Sequence, residues 1–102
     1  MNSANLQLEG LYLALAALHE TLIRKGVLTR EDLGASLRRA EALATGDDRA
    51  TEDLRPAERD AVAFAPRLLL EALEAYATGG TPDFSALARR VGSTKRHQGT
   101  LL

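Results

Sequence analysis

The composition of this chain predicts an all-α fold, a single small bundle of four to five helices with a Pro-kinked or broken helix near Pro66. Of its 102 residues, 18 are Ala and 19 are Leu, whereas four are β-branched aliphatics and four are aromatic. Ala and Leu favour helices, while β-branched and aromatic residues favour strands. A chain of this length supports one hydrophobic core. We therefore expect one helical domain over residues 1–92 and a basic C-terminal tail over residues 93–102.

The first helix is predicted between Ser3, which can cap its N-terminus, and Gly26, which can adopt the left-handed conformation common after a helix end. Five leucines, spaced alternately three and four residues apart, form an apolar stripe that we interpret as the core face of this helix. These are Leu8, Leu11, Leu15, Leu18 and Leu22, and they are flanked by Tyr12, Ala16 and Ile23. A second, smaller stripe lies nearly opposite and consists of Leu6, Gly10, Leu13 and Ala17. The first helix is therefore apolar on two sides.

The second helix has a clear start signal. Thr29 and Asp32 have the spacing of a capping box, with Asp in place of the usual Glu. We therefore expect a tight corner after the first helix and a second helix from 30 to about 45, ended by Gly46. Its buried side is predicted to contain Leu33, Leu37, Ala40 and Ala44.

Two prolines define the third helix. Pro56 fits the first turn of a helix, where its missing N–H needs no partner. Pro66 removes a backbone hydrogen bond ten residues later and predicts a kink or a break near Ala65. Residues 66–78 have only a narrow polar strip, so we expect this segment, which ends before Gly79, to be the most buried part of the chain.

A short last helix is predicted to begin after Pro82 and to end at Gly92. Residues 84–93, FSALARRVGS, resemble the second helix and turn of a DNA-binding helix-turn-helix, with Ala88 and Gly92 at the small positions of that motif. A short terminal helix followed by a basic tail is the interpretation that we prefer. The candidate nucleic-acid contacts are the four cations after Asp83, namely Arg89, Arg90, Lys95 and Arg96.

No pattern of catalytic residues stands out, so we expect that the chain is not an enzyme and has neither a cofactor nor a metal. His19 lies near the middle of the apolar face of the first helix, and we interpret it as a neutral imidazole that is hydrogen-bonded inside the core or at its edge. With Glu20 it begins like the HExxH motif of zinc proteases, but Ile23 occupies the position of the second His. The absence of Cys excludes thiolate nucleophiles and Cys-based metal sites.

Residues 47–55 are polar and acidic, which indicates a loop between the second and third helices. Four of its carboxylates could hold a hard cation if the loop folded back on itself. They belong to Asp47, Asp48, Glu52 and Asp53. Because Arg49 stands where an EF-hand loop needs an oxygen ligand, we favour a solvated connection over a calcium site.

The predicted function follows from the missing catalytic patterns and from the two apolar sides of the first helix. A chain this short has difficulty burying both sides within itself, and a second copy can cover one of them. We therefore predict a small non-catalytic protein-interaction domain, a homodimer joined through Leu6, Gly10, Leu13 and Ala17. The alternative is a small nucleic-acid-binding regulator that uses the basic C-terminal segment.

The sequence also carries signals about location and source. The first ten residues have no basic stretch, and no apolar run is long enough to span a membrane, so we expect a cytoplasmic protein without a membrane partner. A net charge of −1 gives no overall attraction to nucleic acid or to an anionic membrane. Eleven Arg against two Lys, together with abundant Ala, are typical of G+C-rich coding sequences and favour a bacterial source.

Overall fold

The chain folds into four helices. The computed structural model describes residues 3–46, 55–80 and 82–100, the last seven by their backbone alone. The helices are α1 (Ser3–Arg24), α2 (Arg30–Thr45), α3 (Pro56–Ala77) and α4 (Phe84–Thr100). In these ranges all regular secondary structure is helical, which confirms the predicted all-α class.

The corner between α1 and α2 is built as the sequence predicts. Gly26 has a φ of +74°, and its N–H donates to the Ile23 carbonyl while the Val27 N–H reaches back to the Leu22 carbonyl. This pair of hydrogen bonds is the Schellman arrangement that satisfies the last carbonyls of a helix.

The capping box that starts α2 is complete. The Asp32 N–H donates to Thr29 Oγ1 and the Thr29 N–H donates to Asp32 Oδ2, both at 3.0 Å. At its other end α2 stops at Thr45, as predicted, although Gly46 has extended rather than left-handed backbone. The loop after it, with the four carboxylates of the calcium hypothesis, lies outside the described residues.

α3 has Pro56 in its first turn and runs without interruption to Ala77. The Arg55 N–H donates to Glu58 Oε1 at 2.8 Å, and Gly79, with a φ of +84°, follows the helix end. Pro66 lies inside the helix and is buried. The predicted break is therefore absent, and a kink at this proline stays a prediction.

The core is organised around α3, which makes the main contacts with each of the other three helices. Leu68 is fully buried, and Leu69, Ala72 and Leu73 are nearly so. α4 contributes Leu87 to the same core. The predicted burial of residues 66–78 is thus confirmed for the side of the helix that carries these residues.

α2 packs on α3 with the predicted face, apart from one residue. Leu33, Leu37 and Ala44 are buried, and so is Gly34. Ala40, which we also expected inside, is exposed. One ion pair joins the polar edges of the two helices, because Arg67 Nε donates to Glu41 Oε2 at 2.7 Å. Arg67 Nη1 also donates to Asp60 Oδ1 within α3, at 3.3 Å.

The predicted core face of α1 is only partly right. Three of the five leucines of that stripe, Leu8, Leu11 and Leu18, are 45%, 52% and 53% exposed. The other two, Leu15 and Leu22, are half-buried, and Leu15 packs against the core. The side turned to the core is centred on the flanking residues of the stripe, because Ala16 is 3% exposed and Tyr12 and Ile23 pack against the same core.

The predicted end of the last helix is also wrong, because α4 continues through Gly92 to Thr100. A glycine inside a helix costs about 1 kcal/mol relative to alanine, and no proline follows to stop the helix. The turn of the proposed helix-turn-helix is therefore absent at Gly92. The boundary between the domain and the basic tail stays a prediction.

We expect Leu69→Ala and Leu73→Ala each to lower the free energy of unfolding by about 2–5 kcal/mol, because both remove buried methyl groups and leave a cavity. Leu11→Ala is the matched control, since this side chain belongs to the stripe predicted as core but is half exposed. Urea unfolding at a concentration that keeps the chain monomeric measures all three. A loss for Leu11→Ala as large as for Leu69→Ala would contradict the burial described above.

Candidate interaction surface

The apolar surface left uncovered on α1 is the most prominent feature of the exterior. We call the five residues Leu8, Leu11, Leu15, Leu18 and Leu22 the leucine row, and the four residues Leu6, Gly10, Leu13 and Ala17 the small-residue face. At 100° per residue, these two surfaces lie on either side of the buried side of the helix. Four of the large apolar side chains exposed in the described residues belong to α1, namely Leu6, Leu8, Leu11 and Leu18. Groups of exposed apolar side chains often mark an interaction surface.

The small-residue face is the surface that the sequence predicts as the interface. In the structure it exposes only part of its apolar side chains. Leu6 is 48% exposed, while Leu13 is half-buried. Gly10 and Ala17 are exposed, and a Cβ added at Gly10 would meet nothing within 4 Å. Packing within the chain therefore does not require glycine here, and Leu6 is the one large exposed apolar side chain on this face.

The side of α1 between these two surfaces is held by an aromatic cluster. Tyr12 lies parallel to Phe84, with an interplanar angle of 6° and 6.1 Å between ring centroids. Phe64 is tilted against both rings at 5.9 and 6.3 Å. The cluster joins α1, α3 and α4, and it directs Tyr12 rather than the neighbouring Leu11 toward the core.

An ion pair fixes the same side of α1 near its C-terminal end. Arg30 Nη2 donates to Glu20 Oε2 at 3.2 Å, and Arg30 Nη1 donates to the Leu73 carbonyl at 2.8 Å. The Glu20 side chain is only 14% exposed. One guanidinium at the start of α2 thus connects α1 to α3.

A cleft of about 650 Å³ adjoins the aromatic cluster at the N-terminal end of α1. Leu6 and Leu8 stand at its edge, and the three aromatic rings line it. Asn5, Glu9 and Ser85 also line the cleft, so it combines apolar and polar surface where α1 meets α3 and α4.

His19 is half-buried, and its Nδ1 is buried without a hydrogen-bond partner. Burial lowers the pKa of this imidazole, because it disfavours the charged form. Among the residues that the structure describes, no three His, Asp or Glu side chains come together as metal ligands. The lowered pKa agrees with the predicted neutral imidazole at the edge of the core, whereas the hydrogen bond that we expected is absent at Nδ1.

The candidate nucleic-acid contacts are only partly described. Arg89 and Arg90 are exposed on α4, whereas the side chains of Lys95 and Arg96 lie outside the described residues. Arg90 Nη1 lies 3.9 Å from Glu71 Oε2 on α3, so it pairs within the described chain rather than standing alone.

Within the described ranges no helix is both long and apolar enough to cross a membrane.

Comparison with protein-family models, with curated proteins and with solved structures finds no match to this chain.

We expect the free energy of unfolding to fall as the pH is lowered through 6.5, the ordinary pKa of histidine. The unfolded chain takes up a proton on His19 near this pH, while the folded chain, with its lowered pKa, takes it up only at lower pH. Urea unfolding from pH 8 to 5 measures this pH dependence. The variant His19→Gln should lose the part of the pH dependence that the imidazole causes.

The pKa of Asp32 is lowered as well, because its carboxylate accepts the Thr29 N–H and hydroxyl hydrogen bonds. The stability that this carboxylate contributes is present above its ordinary pKa of 3.8 and is lost below it, so it does not overlap with the histidine effect.

An unchanged pH dependence in His19→Gln would show that the imidazole is not desolvated in the folded chain.

Proposed function

We propose that this chain is a small non-catalytic protein-interaction domain that self-associates through α1. The observation that carries the proposal is that four leucines of this one helix, Leu6, Leu8, Leu11 and Leu18, are each about half exposed. Apolar side chains on a helix surface gain free energy when a partner removes them from water, about 25 cal/mol for each Å² buried.

A second copy of the chain is the partner that this surface favours. α3 already packs against three helices, so the described part of the chain offers α1 no further helix to cover its outer side. Most soluble oligomers are symmetric dimers in which the same patch occurs on both subunits. A homodimer covers the exposed leucines of both copies with a single interface.

Nucleic-acid binding ranks below self-association. The helix-turn-helix resemblance loses its turn, because α4 continues through Gly92. The ion pair of Arg90 with Glu71 also reduces the positive charge available on this helix. Four phosphate contacts by the basic residues would still produce a log-affinity against log-salt slope of about −3.6 on duplex DNA.

We expect the chain to be a dimer at high micromolar concentration and to dissociate on dilution. Sedimentation analysis between about 1 and 500 μM measures the dissociation constant directly. Far-ultraviolet circular dichroism at each concentration checks that the dissociated chain stays helical. A wild-type chain that sediments as a monomer throughout this range would remove the homodimer.

The nucleic-acid alternative makes a separate prediction. We expect the double variant Lys95→Gln, Arg96→Gln to associate as the wild type does and to show no loss of specific duplex binding, because the wild type binds duplex only through weak, salt-sensitive attraction. Electrophoretic mobility shifts at low and high salt test this. A tight, sequence-dependent shift that the double variant abolishes would favour the regulator instead.

A further inference from the structure

The leucine row has two properties that together identify what covers it. In the sequence, its five members alternate in steps of three and four residues from Leu8 to Leu22. In the structure Leu8, Leu11 and Leu18 of this row are about half exposed, whereas Leu15 packs partly against the core and Leu22 is half-buried. Packing inside the chain therefore explains only part of this regular spacing.

Steps of three and four average 3.5 residues, the repeat of a helix that packs along a second helix in a coiled coil. From Leu8 to Leu22 the row spans fourteen residues at a rise of 1.5 Å each, which is about 21 Å. This length corresponds to two heptads of a coiled coil. In heptad terms Leu8, Leu15 and Leu22 take the a positions, and Leu11 and Leu18 take the d positions. The surface is therefore suited to a helix rather than to a sheet or a loop.

The residues beside the row indicate which helix pairs with it. The positions that flank an a/d seam are Gln7, Ala14 and Thr21 on one side and Tyr12 and His19 on the other. None of them is Asp, Glu, Lys or Arg. Charged residues at these positions determine which helices pair in many coiled coils, and like charges there keep two identical helices apart. In α1 no flanking charge repels an identical helix.

The charged residues of α1, which are Glu9, Glu20 and Arg24, occupy positions outside the seam and its flanks. Glu20 is held by Arg30 on the side that faces α2 and α3. Arg24 stands at the C-terminal end of the helix, next to Lys25. In a parallel pair these cations of both copies would meet at one end, whereas an antiparallel pair separates them and also aligns the helix dipoles favourably.

We propose that a second copy of this chain covers the leucine row, and that the two α1 helices pair antiparallel about a two-fold axis at Leu15. The row is nearly symmetric about this residue, since Leu8 then lies opposite Leu22 and Leu11 lies near Leu18 of the other copy. This inference rests on the proposed self-association and names the side of α1 that performs it.

The test compares one charge on each side of the helix. Leu18→Glu places a carboxylate in the leucine row, and Ala17→Glu places the same group on the small-residue face at an exposed neighbouring position. Symmetry puts the substitution into the dimer twice, so Leu18→Glu should raise the dissociation constant about 100-fold or more. Ala17→Glu should leave the constant within about threefold of the wild type, a small free-energy change.

The outcomes separate this inference from the proposed function. If Leu18→Glu associates like the wild type, or if Ala17→Glu alone dissociates the dimer, the leucine row is not the interface, although self-association stands. If the wild type is monomeric, the proposed function itself fails. Circular dichroism and urea unfolding of both variants show whether they fold, and Leu11→Gln repeats the test with an uncharged side chain.

Cysteine cross-linking tests the orientation independently, because the natural chain has no Cys. Leu15→Cys should form a disulfide-linked dimer on mild oxidation, and Leu8→Cys should cross-link to Leu22→Cys in a mixture. Leu8→Cys alone should not cross-link, because an antiparallel pair places its two copies about 21 Å apart, beyond the reach of a disulfide. Cross-linking of Leu8→Cys to itself as fast as Leu15→Cys would overturn the antiparallel arrangement.

Discussion

Burial of α3 is the constraint on which the rest of the fold depends. Its core side includes Leu68, Leu69 and Leu73, and this apolar surface is too wide for one neighbouring helix to cover. Three helices therefore surround it, which requires a tight corner between α1 and α2 and a reversal after Gly79. Each of the other helices needs to present only one narrow side to α3. The side chains on its remaining sides face outward.

For α1 this arrangement leaves an excess of apolar surface. Leu15 and Ala16 are neighbours in the sequence and stand 100° apart around the helix. The structure buries Ala16 and leaves Leu8, Leu11 and Leu18 about half exposed, while Leu15 is half-buried. A 102-residue chain has a high ratio of surface to volume, so association with a second copy is an economical way to cover such a row.

Local signals made most of the secondary structure predictable. The Thr29 and Asp32 capping box, Pro56 in a first turn and the left-handed Gly26 and Gly79 act through hydrogen bonds or backbone angles within a few residues. The length of α4 was not predictable in this way, because one glycine costs a helix too little to end it. The core side of α1 was only partly predicted, because hydrophobicity alone centres it on the five leucines, whereas the structure centres it on the flanking residues Tyr12, Ala16 and Ile23.

The choice between the two sides of α1 depends on groups far apart in the sequence. Tyr12 needs Phe64 and Phe84, and Glu20 needs Arg30, so neither preference is visible in the periodicity of the helix itself. Together these contacts fix the rotation of α1 at both ends. An ion pair with a side chain as enclosed as Glu20 is costly to break, because the carboxylate would lose its partner without returning to water. The ion pair between Arg30 and Glu20 therefore helps to fix the rotation of α1 that leaves Leu8, Leu11 and Leu18 exposed. The candidate interface is a consequence of this rotation.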